Sequence, residues 1–164
     1  MEQISIQNAR SYASLHGLRL AERLGFGIHG TIFVVEDNSK AGNTAIKALH
    51  SVEFYLRERN AYQRLQAAGI TEIAGFHVPQ LICFDDERLI VEMTIVTRPF
   101  LLDFAGAYLD TPPEFSQEIW KEWESEKREQ FENRWPIVQA ALEALEELDI
   151  YMVDVSPTNI SFFD

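Results

Sequence analysis

The feature that most restricts this chain is a glycine-rich turn that leads into a strand instead of a helix. Gly25, Gly27 and Gly30 stand at G-x-G-x-x-G spacing. Such a pattern also marks ordinary turns, so the residues after it decide the reading. A dinucleotide-binding turn needs a helix directly after its glycines, so that a pyrophosphate meets the helix N-terminus. Here the next residues are Thr31, Ile32, Phe33, Val34 and Val35, β-branched and aromatic, and they predict a strand. Residues 37–43, DNSKAGN, form a turn cluster. Residues 44–49, TAIKAL, read as a second strand whose alternation puts Ala45 and Lys47 on one face. A hairpin of this kind can cover a triphosphate with glycine backbone and set the ammonium of Lys47 against it.

Composition narrows the classes. A chain of 164 residues with 46% hydrophobic and 24% charged residues supports one ordinary core or two small lobes. The formal net charge is −12, with acids crowded between Asp110 and Asp149. That balance disfavours nucleic acid and anionic lipid, because neither phosphate array would be neutralised. Expected partners are neutral or basic. A single cysteine, Cys83, makes no internal disulfide and no zinc cluster. With no charged-then-apolar leader and no long apolar run, the expected setting is the cytosol and not a membrane.

Taken in order, residues 1–17 form an uncommitted lead-in, and 18–24 predict the strand entering the glycine turn. Phe54, Leu56, Ala61, Leu65 and Ala68 give residues 52–68 a helical stripe that Gly69 stops. Strands are expected at 80–84 and 88–93, joined by Asp85-Asp86-Glu87. Residues 100–109 read as a short apolar helix closed by Thr111-Pro112-Pro113. A helix over 116–133 carries Trp120, Trp123 and Phe131, and a second, apolar on more than one side, runs from Pro136 to Asp149. It delivers the chain into a polar loop, with Asp154 and Asn159 five apart in D-V-S-P-T-N.

The glycine turn, TAIK, a helix glutamate and this D-x-x-x-x-N loop fall in the order of the protein-kinase-like family, which the chain resembles over roughly residues 20–164. The resemblance implies an α+β fold: an N-terminal antiparallel sheet lobe with one helix over 18–96, then a partial helical lobe over 97–164. It implies an ATP-dependent phosphotransferase acting on a hydroxyl. Gly25, Gly27 and Gly30 would cover the phosphates, with Ala45 in the nucleotide pocket and Lys47 on the α- and β-phosphates. Of Glu53 and Glu58, Glu58 is the expected partner of Lys47. Glu92 would end the strand before the hinge, where the backbone of Thr94 to Val96 reads an adenine edge. Asp154 would orient the acceptor, and Asn159 would ligate magnesium.

Several positions depart from the family. Met152 stands where a histidine is usual, and Ser156 where many protein kinases carry lysine, which is similar to RIO-type and other atypical small kinases. No Asp-Phe-Gly segment follows Asn159, so the family's metal aspartate is expected to be missing. Five extended residues travel about 16 Å and lead Asp164 away from the metal site. The expectation is weak ATP binding with little help from magnesium, and an inactive chain. Two other readings stay open: an interaction module working through the acidic helices of 116–149, and an unrelated small α+β protein with an incidental glycine turn.

Overall fold

The described residues, 1–163 of a computed structural model, build a mixed α+β architecture. In chain order come α1 (Glu2–Leu15), β1 (Arg19–Phe26), β2 (Gly30–Glu36), β3 (Asn43–Leu49) and α2 (Val52–Ala67). Two short strands, β4 (Glu72–Ile73) and β5 (Phe76–His77), precede β6 (Leu81–Asp85) and β7 (Ile90–Thr94). The second half holds the short strands β8 (Phe100–Leu101) and β9 (Tyr108–Leu109), then α3 (Gln117–Phe131), a 3-10 turn (Glu132–Arg134) and α4 (Trp135–Glu146). It ends in two more short strands, β10 (Ile150–Tyr151) and β11 (Ile160–Ser161). Among the described residues, no helix is long and apolar enough to cross a membrane.

Strands β1-β2-β3-β7-β6 form one antiparallel sheet. Its centre, β3, is buried from Ala45 to Leu49 because both faces are covered. On one face Phe33, Val35, Ile46, Ala48 and Ile90 meet α1 through Ala9 and Tyr12. On the other, Ala45, Leu49, Val91 and Met93 join Tyr55, Ala61, Tyr62 and Leu65 of α2 and the buried side of α4 in a single larger core. Helix α2 starts at Ser51, whose hydroxyl accepts from the Phe54 N–H (3.2 Å), and stops before Gly69 at φ 68°. Ser116 caps α3 in the same manner, through the Ile119 N–H (3.3 Å).

Two expectations are corrected. The lead-in is a helix: Ser5, Ala9, Tyr12 and Ala13 recur at helical spacing and are buried under the sheet. Local propensity did not announce it, because the stripe is made of small and polar residues that gain their burial from the sheet. Residues 100–109 are not helical. β8 pairs antiparallel with β11, β9 pairs with β10, and Asp103 between them sits at φ 71°. Backbone groups that a local helix would satisfy are taken by strands some fifty residues further on.

The Tyr12 hydroxyl donates to Glu92 Oε2 (2.7 Å) under the sheet, and Thr44 Oγ1 donates to Oε1 (2.7 Å). Tyr12→Phe leaves a buried carboxylate short of one donor. In urea unfolding it should cost about 1 to 3 kcal/mol; a loss below roughly 0.5 kcal/mol would show that solvent replaces the phenol.

Candidate functional site

The glycine turn caps a cleft of about 660 Å³ between the sheet and the second half of the chain. Its roof is fixed by local bonds: the Gly27 N–H donates to Gly30 O (3.0 Å), and the His50 N–H donates to His29 O (2.8 Å) at the end of β3. Gly25, Gly27 and Gly30 all line the cleft, with Ala45, Lys47, Met93 and Thr94 behind them. β3 and β7 pair with Ala45 opposite Met93 and Lys47 opposite Val91, so one face of both strands turns to the cleft.

Lys47, 3% exposed, donates to Glu58 Oε2 on α2 (3.1 Å), the pair expected from sequence. It also donates to Asp103 Oδ1 (2.6 Å), and that contact is new. His29, at the tip of the glycine turn, places Nδ1 3.5 Å from Asp103 Oδ1 and Nε2 3.7 Å from Asp154 Oδ2. The turn, the segment after β8 and the polar loop thus meet at one imidazole. Gly106 permits this approach, since a Cβ there would fall 3.1 Å from Asp154 Cβ and 3.2 Å from His29 Cε1.

Asn159 is buried and lines the cleft, as does Thr158. Its Nδ2 donates to the Asp154 carbonyl (2.5 Å) and its Oδ1 accepts the Ser156 N–H (2.8 Å), which holds the loop closed. Thr94 lines the cleft, but its N–H donates to Gln80 O (2.9 Å) inside the fold, so the backbone free to face a ligand begins at Ile95. Glu92 is placed differently from expectation. Strand alternation sets it opposite Ile46, and its carboxylate bonds Tyr12 and Thr44 away from the cleft. Asp164 lies outside the described residues.

One ammonium therefore serves two carboxylates. Burial would lower the Lys47 ammonium, but Glu58 and Asp103 together hold it above its ordinary value. Burial would raise Asp103, but Lys47 and His29 hold it well below the usual carboxylate range. Glu58 is fully enclosed, and burial pushes it up to about 7, with Lys47 offsetting only part of that. The shorter contact belongs to Asp103, so Asp103 takes most of the shared charge. Glu58 Oε1, in a residue that lines the cleft, is buried without a hydrogen-bond partner among the described residues, and the buried Tyr62 hydroxyl lies beside the Asp103 backbone.

A raised acid favours the folded state below its unfolded pKa, and that contribution is lost as pH climbs through the folded value. Glu58 should therefore destabilise the protein progressively between its ordinary 4.5 and about 7. Glu58→Gln should gain on the native chain across that window by roughly 1.4 kcal/mol for each pH unit climbed. Urea unfolding of both proteins across the same window checks this. A constant difference would mean that Glu58 stays charged throughout.

Sequence reading missed Asp103, His29 and Tyr62. A signal for Asp103 existed in Leu101-Leu102-Asp103-Phe104-Ala105-Gly106, an apolar run ended by aspartate and phenylalanine close to a glycine. No group of three or more His, Cys, Asp or Glu able to hold a metal by themselves occurs among the described residues. Magnesium, however, is usually held by one or two protein oxygens with substrate phosphates completing the shell. Asp103 and Asn159 on one cleft wall fit that donor set. No family model matches this chain, and no curated protein matches it closely enough to be called a relative.

Proposed function

We propose that the chain is a protein-kinase-like protein that binds ATP in the cleft beneath the glycine turn and transfers its γ-phosphoryl group to a hydroxyl. The observation that carries this reading is Lys47 on the central strand, bonded at once to Glu58 (3.1 Å) and Asp103 (2.6 Å) in that cleft. A buried lysine oriented by a helix glutamate is the arrangement that grips α- and β-phosphates in this family.

A second support concerns the aspartate that was expected to be missing. In the family, an Asp-Phe-Gly segment ends a strand that comes after the catalytic-loop Asn. Here β8 pairs with β11, the strand that follows Asn159, and runs into Asp103-Phe104. The carboxylate reaches the same wall from an earlier part of the chain. This revises the expectation of magnesium-insensitive binding.

In this reading Gly25 and Gly27 lay backbone over the phosphates, Ala45 leaves room for the adenine, and the backbone from Ile95 onward reads its edge. Lys47 neutralises α- and β-phosphate oxygens while Glu58 keeps it in place. Asp103 and Asn159 would hold magnesium, which when bound would neutralise phosphate charge. Asp154, the most exposed of these acids with 55% of its side chain accessible, accepts the acceptor hydroxyl's proton. The interaction-module reading is favoured by a different observation, the tryptophan groove between α3 and α4.

The test is ATP titration by thermal shift, with and without magnesium, on the native chain and on Lys47→Ala. At a ligand concentration about 100 times the dissociation constant, stabilisation should be on the order of 2.7 kcal/mol. Magnesium should enlarge it, and Lys47→Ala should abolish it. No shift at millimolar ATP in a folded protein removes the nucleotide reading.

A further inference from the structure

Away from the nucleotide cleft, α3 and α4 enclose a second groove of about 460 Å³ that reaches Met152 and Val153, next to Asp154. The chain has three tryptophans, Trp120, Trp123 and Trp135, and all three line it. Trp123 is central. Its ring centroid lies 5.7 Å from that of Trp120 and 5.9 Å from that of Trp135, both edge-on, and its Nε1–H donates to Val153 O (2.9 Å).

Glu124, Glu143 and Glu146 complete the walls, and no lysine or arginine is among the lining residues. Glu124 is held by Arg128 (2.6 Å), and Glu143 accepts from Gln139 (3.3 Å). Glu146 has no ion pair among the described residues. Burial and then the neighbouring Glu143 raise its carboxyl, the mark of acids crowded together without a counterion. Trp135 is 4% exposed, and its enclosed indole N–H has no acceptor among the described residues.

We infer that this groove is a docking site for an arginine side chain of a basic polypeptide segment. The half-buried rings of Trp120 and Trp123 accept a guanidinium plane and its aliphatic stem. Glu143 and Glu146 supply the counter-charge. A chain of net charge −12 attracts such a partner from solution. The inference goes beyond the phosphotransfer reading and does not depend on it, since no residue of the nucleotide cleft takes part.

Because every tryptophan of the chain lies in the groove, intrinsic fluorescence reports its occupancy directly. The probe is a short acetylated and amidated alanine peptide carrying two arginines, titrated into the nucleotide-free protein beside the same peptide with citrulline in place of arginine. A saturable emission change is expected with the arginine peptide, weakened by added salt and at least about tenfold weaker in Glu143→Gln/Glu146→Gln. Both glutamates are exposed, so the variant keeps its fold. Binding is measured without nucleotide and at residues outside the nucleotide cleft, which separates a failure here from a failure of the nucleotide reading. Three results would overturn the inference: no saturable change at millimolar peptide, equal binding of the citrulline peptide, or tetramethylammonium binding as tightly as the arginine peptide. The last would make the groove a small-cation site.

Discussion

Lys47→Met is expected to cost about 3 to 5 kcal/mol of folding stability in urea unfolding, because it leaves the buried Glu58 and the half-buried Asp103 without their shared cation. The methionine fills nearly the same volume, so the loss is electrostatic and not a packing defect. Glu58 is fully enclosed with one oxygen already unpartnered, and among the described residues the Lys47 ammonium is the donor its carboxylate meets. Asp103 keeps His29 within 3.5 Å and suffers less. The double variant Lys47→Met/Glu58→Leu should therefore recover more than half of the loss, since it removes the stranded acid along with its partner. Losses that simply add would show that Lys47 and Glu58 are not energetically coupled, and would leave the lysine to Asp103 alone.

Gly30→Ala should destabilise the protein by roughly 1 to 3 kcal/mol, whereas Gly27→Ala should stay within about 0.5 kcal/mol of the native chain. The two glycines share a motif but not a role. A Cβ on Gly30 would fall 2.5 Å from the Ala48 carbonyl oxygen, on backbone that cannot move without unpicking the start of the β2–β3 ladder. A Cβ on Gly27 meets nothing within 4 Å and points into open space over the cleft. If Gly27 gives its backbone to phosphates, Gly27→Ala should instead reduce the ATP-dependent thermal shift while leaving the melting temperature of the free protein alone. An unaffected shift in Gly27→Ala, or an unaffected melting temperature in Gly30→Ala, would reverse these assignments.

The parts of the molecule that sequence pattern could reach were those in which local chemistry and tertiary structure agree. The run Thr31 to Val35 was a strand by residue type, and Ala45 and Lys47 shared a face by alternation alone. The stripe of α2 put Glu58 on the helix, and Ser51 and Gly69 are its natural ends. Helices α3 and α4 were equally visible, with Ser116 capping the first and Pro136 in the opening turn of the second. Each of these depends on neighbours a few residues apart, and a linear sequence displays such neighbours openly.

What tertiary structure decided lies where a segment gains its partners from far along the chain. Helix α1 buries Ser5, Ala9, Tyr12 and Ala13 only because a sheet lies under it. Residues 100–109 are helical by composition, but β10 and β11, some forty to sixty residues later, pair with the two ends of the segment and leave a loop between them. Glu92 and Lys47 both stand on central strands of one sheet, yet the pleat sends the first to Tyr12 and the second to Glu58 and Asp103. Asp103 looked like part of an apolar helix and is instead the acid closest to the buried lysine. Periodicity is a property of adjacent residues, so sequence alone determined the strands of the main sheet, helices α2, α3 and α4, and the glycine turn. Which carboxylates share one ammonium, and which tryptophans share one groove, depends on how those elements pack, and only the folded chain settles it.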